Sequence, residues 1–138
     1  MEKNNYQRNH SHDPFSSIEE MVDKFGFTQD ELTEEKIDYR MSLLKEEMQE
    51  TEGAWHVCNA EEWVDGNIDI IVIALGNLAI ANVDSRKAFN EVMNANMQKE
   101  VGSRRDGDPD GMSIRKPEGW IGPDHSGNHG DLDNIWDN

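Results

Sequence analysis

Two runs of carboxylates are the part of this chain best suited to chemistry. The first is Glu46-Glu47-Met48-Gln49-Glu50; the second is Glu62-Trp63-Val64-Asp65-Gly66-Asn67-Ile68-Asp69, and eleven residues separate Glu50 from Glu62. Glu47 and Glu50 are three apart, as are Glu62 and Asp65, and Asp69 follows Asp65 by four. On an α-helix those intervals bring side chains to one face. Two such helices folded against each other present four or five carboxylates to one point. At about 4 Å and an effective dielectric near 20, each like-charge pair costs roughly 4 kcal/mol. A group that close must take up protons, splay into water or be neutralised by cations. Carboxylate oxygens are hard ligands that suit Mg²⁺, Mn²⁺ or Ca²⁺.

The apolar pattern supplies helices to carry these groups. Phe15, Ile18, Met21, Val22 and Phe25 fall at helical spacing between Pro14 and Phe27, with Asp13 as N-cap and Gly26 as a stop. Thr33 caps a second helix running to about Trp55, on which Ile37, Met41, Leu44 and Met48 follow a four-residue spacing. Glu46, Glu47 and Glu50 lie beside that stripe; taken alone they read as a solvated acidic face. Asn59 caps a third helix to about Asn82, where Glu62 at N3 suits a capping box as well as a metal. After Asp69 this helix is apolar on almost every side, which implies burial against several neighbours. Asp69, at the edge of that surface, needs a partner, and a bound cation and Arg40 compete for the role. Asp84 opens a fourth helix with Phe89, Val92, Met93 and Met97 on its core side. Asn96 and Lys99 are three apart at its end, where Lys99 also suits the helix dipole.

From Gly102 the composition turns to glycine, aspartate and proline. The expected organisation is a flexible N-terminal arm over residues 1–13, an all-α domain over 14–101 and a coil tail over 102–138. Lys116-Pro117-Glu118-Gly119-Trp120 interrupts the tail with a turn signal and an aromatic anchor, expected to dock on the helices or on a partner subunit. Residues 124–138 are expected to be mobile, with Trp136 anchoring locally. His10 and His12 sit in the polar arm, where solvation is the plainer role than metal binding.

Net charge is −16 and the sequence pI near 4.5, which argues against general binding to nucleic acid or anionic lipid. Cys58 is the single cysteine, so no internal disulfide forms, in keeping with a reducing cytosol. The opening residues are polar, unlike a signal peptide, and the apolar run Ile68 to Ala81 contains Asp69 and Asn77 and is short for a bilayer. A cytoplasmic location without membrane partners is expected. Neither a glycine-rich phosphate loop nor an EF-hand loop is present. The apolar faces exceed what one chain of this size covers, so homo-oligomerisation through the first and third helices is expected.

Glu46-Glu47-x-x-Glu50, then Glu62-x-x-Asp65, then Asp69 resembles the metal motif of the all-α nucleoside triphosphate pyrophosphohydrolases, the MazG-like branch above all. The resemblance runs from Arg40 to Lys99, and Lys116-Pro117-Glu118-Gly119-Trp120 resembles the tail of small phage-encoded MazG-like proteins. It implies a four-helix MazG-like bundle, a homodimer or homotetramer, and, for a phage protein, the host cytoplasm. It implies cleavage of a nucleoside triphosphate between the α and β phosphates, giving a monophosphate and pyrophosphate, with (d)GTP as the substrate favoured. Mg²⁺, or Mn²⁺, would be held by Glu47, Glu50, Glu62 and Asp65, with Asp69 completing the site or supporting it. Glu46 would orient or deprotonate the attacking water. Asn96 and Lys99 match positions that contact phosphate, and Lys116 adds a cationic contact. Trp55 and Trp63 are candidates to stack on a base, with core packing the plainer role. The rivals are an acidic helical interaction protein that mimics DNA charge, and phosphoribosyl-ATP, dUTP or dCTP pyrophosphohydrolases of the same superfamily.

Overall fold

The computed structural model describes Gln7 and residues 13–102 and 105–136. Apart from Gln7 and Asp13, the N-terminal arm, His10 and His12 included, lies outside the described residues. The elements are α1 (Pro14–Lys24), α2 (Glu34–His56), α3 (Ala60–Ile80), α4 (Ser85–Met97), β1 (Glu100–Val101), β2 (Ile114–Arg115) and α5 (Leu132–Trp136). The fold is all-α, as the helical spacing and the resemblance imply. The strands are one antiparallel pairing of two residues each, Glu100 opposite Arg115 and Val101 opposite Ile114.

Local chemistry sets the helix ends. Asp13 Oδ1 accepts from the Ser16 N–H at 2.7 Å, Thr33 Oγ1 from Lys36 at 3.3 Å and Asn59 Oδ1 from Glu62 at 3.1 Å. Three of the four expected N-caps are therefore made, each satisfying one orphan donor. The C-termini of α1, α2 and α3 close with the same paired bonds. The Phe27, Asn59 and Val83 N–H groups reach back to the Val22, Ala54 and Leu78 carbonyls, while Gly26, Cys58 and Asn82 donate to Asp23, Trp55 and Ala79. This is the Schellman arrangement, which needs a left-handed residue at the turn. Gly26, Cys58 and Asn82 have φ of 68°, 58° and 60°. Asn59 thus ends one closure and starts the next helix, so α2 and α3 are joined by Val57, Cys58 and Asn59 alone. Glycine and asparagine suit the left-handed region; cysteine does not. Cys58→Gly is expected to raise stability by about 1 kcal/mol, read as a shift in denaturant midpoint at unchanged slope.

One compact unit runs to Ser85 and resumes at His129; the other is Arg86–Asn128. In the first, α1 and α2 both pack on α3. Ile18, Val22 and Ile80 are its buried centre, with Met21, Leu32, Val72, Leu75 and Ala79 around them. The core is thin. Against the expectation of all-round burial, α3 leaves Ile68 53 % and Ile71 50 % exposed, away from its packing on α1 and α2. By length and composition α3 is also apolar enough to cross a membrane, which the run from Ile68 alone did not indicate. Its packing on α1 and α2 gives part of that hydropathy another use.

The chain's end also departs from expectation. Instead of coil throughout, residues 132–136 are helical, the Asp131 N–H donates to the Ala81 carbonyl at 2.8 Å, and Asn82 Nδ2 donates to Asp131 Oδ2 at 2.5 Å. In the second unit, Phe89, Val92, Met93 and Met97 of α4 are exposed rather than turned into a core.

Candidate active site

A close approach between α2 and α3 brings the two carboxylate runs together. Gly66 is buried, and a Cβ added there would run into the Thr51 side chain. Thr51 is itself buried and donates its hydroxyl to the Glu47 carbonyl at 2.7 Å. Glu47 lies one turn before this contact on α2, and Asp65 and Asp69 flank it on α3.

The charges register the approach. Burial holds the Glu47 carboxyl above its usual range, and the charges of Asp69, Glu50, Glu46 and Asp65 push it in the same direction. Burial likewise raises Asp69, reinforced by the Asp65 charge and by a hydrogen bond between the two carboxyls, which requires a proton on one of them. Arg40, the competing cation, is committed further along α3: its Nε donates to Asn77 Oδ1 at 2.9 Å and an Nη to the Ile73 carbonyl at 3.1 Å. Burial pulls the Arg40 pKa down, with no carboxylate among the causes. Glu62 is exposed in the first turn of α3 and is not among the charges named as raising Glu47 or Asp69.

Hard oxygen donors with mutually raised affinity for protons are the donor set a divalent cation requires. Among the described residues no three acidic, histidine or cysteine side chains stand together in metal-holding positions. Glu46, Glu50 and Asp65 are exposed, so the donor set fits by its chemistry. Asp69→Asn is accordingly expected to leave the metal-free protein as stable as wild type or more so, since it removes a repelled charge and keeps a hydrogen-bonding partner for Asp65. A lower melting temperature in EDTA would count against the carboxylate group as described.

The second unit holds the expected phosphate-contacting residues. Asn96 is exposed in the last turn of α4, Lys99 follows the helix, and Lys116 follows β2. Trp120 docks on α4, donating Nε1–H to the Ala95 carbonyl at 2.7 Å, and so carries out the anchoring expected of its segment. The Lys99 and Lys116 ammoniums lie 5.2 and 4.8 Å from its ring centroid. Nearby in sequence, hydrogen bonds from the Ser126 hydroxyl and N–H hold the Asp124 carboxyl below its usual range, and the Asp124 N–H donates to Glu91 Oε2 at 3.3 Å.

The sequence profile of the phosphoribosyl-ATP pyrophosphohydrolase family matches residues 13–96, well over half of the chain. The chain belongs to the phosphoribosyl-ATP pyrophosphohydrolase family. This family lies within the MazG-like superfamily, and the protein is a nucleotide pyrophosphohydrolase. No curated protein sequence matches the chain closely. The matched span covers both carboxylate runs and Asn96; Lys99, Lys116 and Trp120 lie beyond it.

In this phosphoribosyl-ATP pyrophosphohydrolase family member, Trp55 and Trp63 are not core residues. They are 66 % and 42 % exposed and pack on each other, with ring centroids 6.2 Å apart and planes tilted by 50°. Sequence reasoning missed Thr51 and the closeness of Gly66 to it; a buried threonine opposite a helix glycine was the available signal. A cavity of about 1030 Å³, lined by Phe27 to Glu35, Ile80 and Trp136 among others, contains neither set of expected site residues.

Proposed function

We propose that the protein hydrolyses a (deoxy)nucleoside triphosphate, (d)GTP by preference, between the α and β phosphates in a Mg²⁺-dependent reaction. The observation that carries this reading is the close packing of α2 on α3 at Thr51 and Gly66, which sets Glu47 within reach of the charges of Asp65 and Asp69. Glu47, Glu50, Asp65 and Asp69 would hold the metal, with Glu62 joining by rotation of its exposed side chain. When bound, the metal neutralises phosphate charge and lowers the pKa of a coordinated water. Glu46 orients the attacking water and takes its proton; the water oxygen bonds to the α phosphorus and pyrophosphate leaves. Asn96, Lys99 and Lys116 serve as phosphate contacts. The exposed Trp55–Trp63 pair offers a base an aromatic face. The preference for (d)GTP rests on the resemblance of residues 116–120 to the small MazG-like tails. Phosphoribosyl-ATP is the second reading, favoured by the family match itself.

The deciding assay measures monophosphate and pyrophosphate release from the common NTPs and dNTPs and from phosphoribosyl-ATP, with Mg²⁺, Mn²⁺ or EDTA. The expected result is release from dGTP or GTP, abolished by EDTA. Undiminished turnover in EDTA would remove the metal, and a strong preference for phosphoribosyl-ATP would remove (d)GTP.

Self-association in the cytoplasm belongs to the same proposal. An apolar groove of about 590 Å³ between α1 and α3 is lined by Ile18, Met21, Phe25, Ile68, Ile71, Val72 and Leu75. Covering such a face in water favours association by roughly 25 cal/mol per Å². A dimer or tetramer is expected in sedimentation at micromolar concentration, and Ile71→Glu is expected to shift it towards monomer. A monomeric wild type would end this part of the reading.

A further inference from the structure

Two close contacts between α2 and α3 each use a bare glycine of α3. One is Thr51 against Gly66; the other is Arg40 against Gly76, where an added Cβ would sit 2.5 Å from an Arg40 Nη. Gly76 is buried and Arg40 half-buried beside it, its Nε bonded to Asn77 Oδ1 at 2.9 Å and an Nη to the Ile73 carbonyl at 3.1 Å. The guanidinium carbon also lies 6.0 Å from the ring centroid of Phe27, in the connection between α1 and α2. Thr51 follows Arg40 by eleven residues, and Asn77 follows Gly66 by eleven. Eleven residues make about three turns, roughly 16 Å, so each helix presents both of its contacts on one stripe. Glu47 falls on the α2 stripe between Arg40 and Thr51, and Asp69 on the α3 stripe between Gly66 and Asn77. These two are the half-buried carboxylates of the two runs; Glu46, Glu50, Glu62 and Asp65 are exposed. Burial raises Glu47, and next to burial the charge of Asp69 raises it most, ahead of Glu50 on its own helix. A repelling pair thus sits between two contacts that hold its helices together.

We propose that Arg40 is a positioning residue: bonded to Asn77 and the Ile73 carbonyl, it pins α2 on α3 and holds Glu47 and Asp69 face to face against their own repulsion. Like charges on facing helices push the helices apart. Thr51 at Gly66 resists on one side of the pair and Arg40 at Gly76 on the other. The guanidinium suits the task because it is planar and makes two directed bonds at once, which an ammonium does not. That the pinned pair holds a divalent cation rests on the metal-dependent reading; the pin itself does not. With a cation to bind, carboxylates already held in place bind it more tightly, so Arg40 acts on metal affinity through Glu47 and Asp69.

The metal-free test is a thermodynamic cycle over Arg40→Gln and Asp69→Asn in the full chain, unfolded by denaturant in EDTA. Asp69→Asn is expected to raise the midpoint of the wild type, where the pin holds the repelled charge in place, and to raise that of Arg40→Gln by less. A residue that only adds stability leaves the two gains equal, so equal gains overturn the proposal. A larger gain in Arg40→Gln, the sign of a direct attraction between Arg40 and Asp69, overturns it too. The second test is calorimetric titration of the full chain with Mn²⁺, without nucleotide and below each variant's melting transition. Arg40→Gln is expected to bind Mn²⁺ about tenfold more weakly than wild type. Arg40→Lys is expected to fall between the two, since it keeps the charge and loses one of the paired bonds. Asn77→Ala leaves the guanidinium on Ile73 and is expected to lose less; it takes the place of Arg40→Gln in both tests if that variant does not fold. A folded Arg40→Gln that binds Mn²⁺ as wild type does overturns the proposal and leaves the metal reading standing. A wild type that binds no Mn²⁺ removes the metal reading, and the cycle in EDTA then decides the pin by itself.

Discussion

Asp65→Asn is expected to lower kcat/KM on the preferred nucleotide by on the order of a hundredfold while leaving the helices and their melting temperature intact. Asp65 is exposed, raises both Glu47 and Asp69, and shares a hydrogen bond with Asp69. Asparagine has nearly the same shape and still bonds to Asp69, so the substitution removes one charge and little packing. The fold loses nothing by this, since the lost charge is one its neighbours repel. The site does lose by it, because charge stabilisation by a bound cation is worth several kcal/mol and each 1.4 kcal/mol is about tenfold in rate. Activity should recover partly at higher Mg²⁺, which separates a weakened metal site from a damaged fold. Glu50→Gln is expected to behave alike. Activity above a tenth of wild type at low Mg²⁺ in either variant would take that residue out of the metal site.

Much of this site was legible because helix geometry is local. The spacing of Glu47, Glu50, Asp65 and Asp69 fixes their faces, and Asp13, Thr33 and Asn59 cap the helices as their side-chain chemistry dictates. The partner of Asp69 was less legible. Its charge made Arg40 a competitor, but its guanidinium bonds further along α3, to Ile73 and Asn77. Burial was overread for the same reason: periodicity shows which face is apolar and not how many neighbours one chain can bring to it. Ile71 and Met97, both on apolar stripes, are exposed. In the tail, Trp120 was recognisable as an anchor. The β1–β2 pairing was not recognisable, since two residues a strand leave almost no signal in composition.

Gly66→Ala is expected to be a damaging single-methyl change, costing roughly 1–3 kcal/mol of stability and most of the activity. In an exposed helix the same change would stabilise, since alanine is favoured over glycine by about 1 kcal/mol. Here the added Cβ meets Thr51 Oγ1, Cβ and Cγ2 at once, on the partner helix, where both residues are buried. The overlap wins, because relieving it requires α3 to move away from α2 along the line that joins the carboxylate runs. A small parting there separates Asp65 and Asp69 from Glu47, and the charge group loosens as the packing does. Thr51→Ala supplies the decisive control. By itself it removes a hydroxyl that bonds within α2 to the Glu47 carbonyl, a modest loss. Combined with Gly66→Ala it removes two of the three obstructing atoms, so the double variant should be more stable than the sum of the two losses predicts. A thermodynamic cycle over these variants measures that coupling directly. Strict additivity would mean that α2 and α3 do not meet at Gly66, and the carboxylates of the two helices would then lose the contact that brings them together.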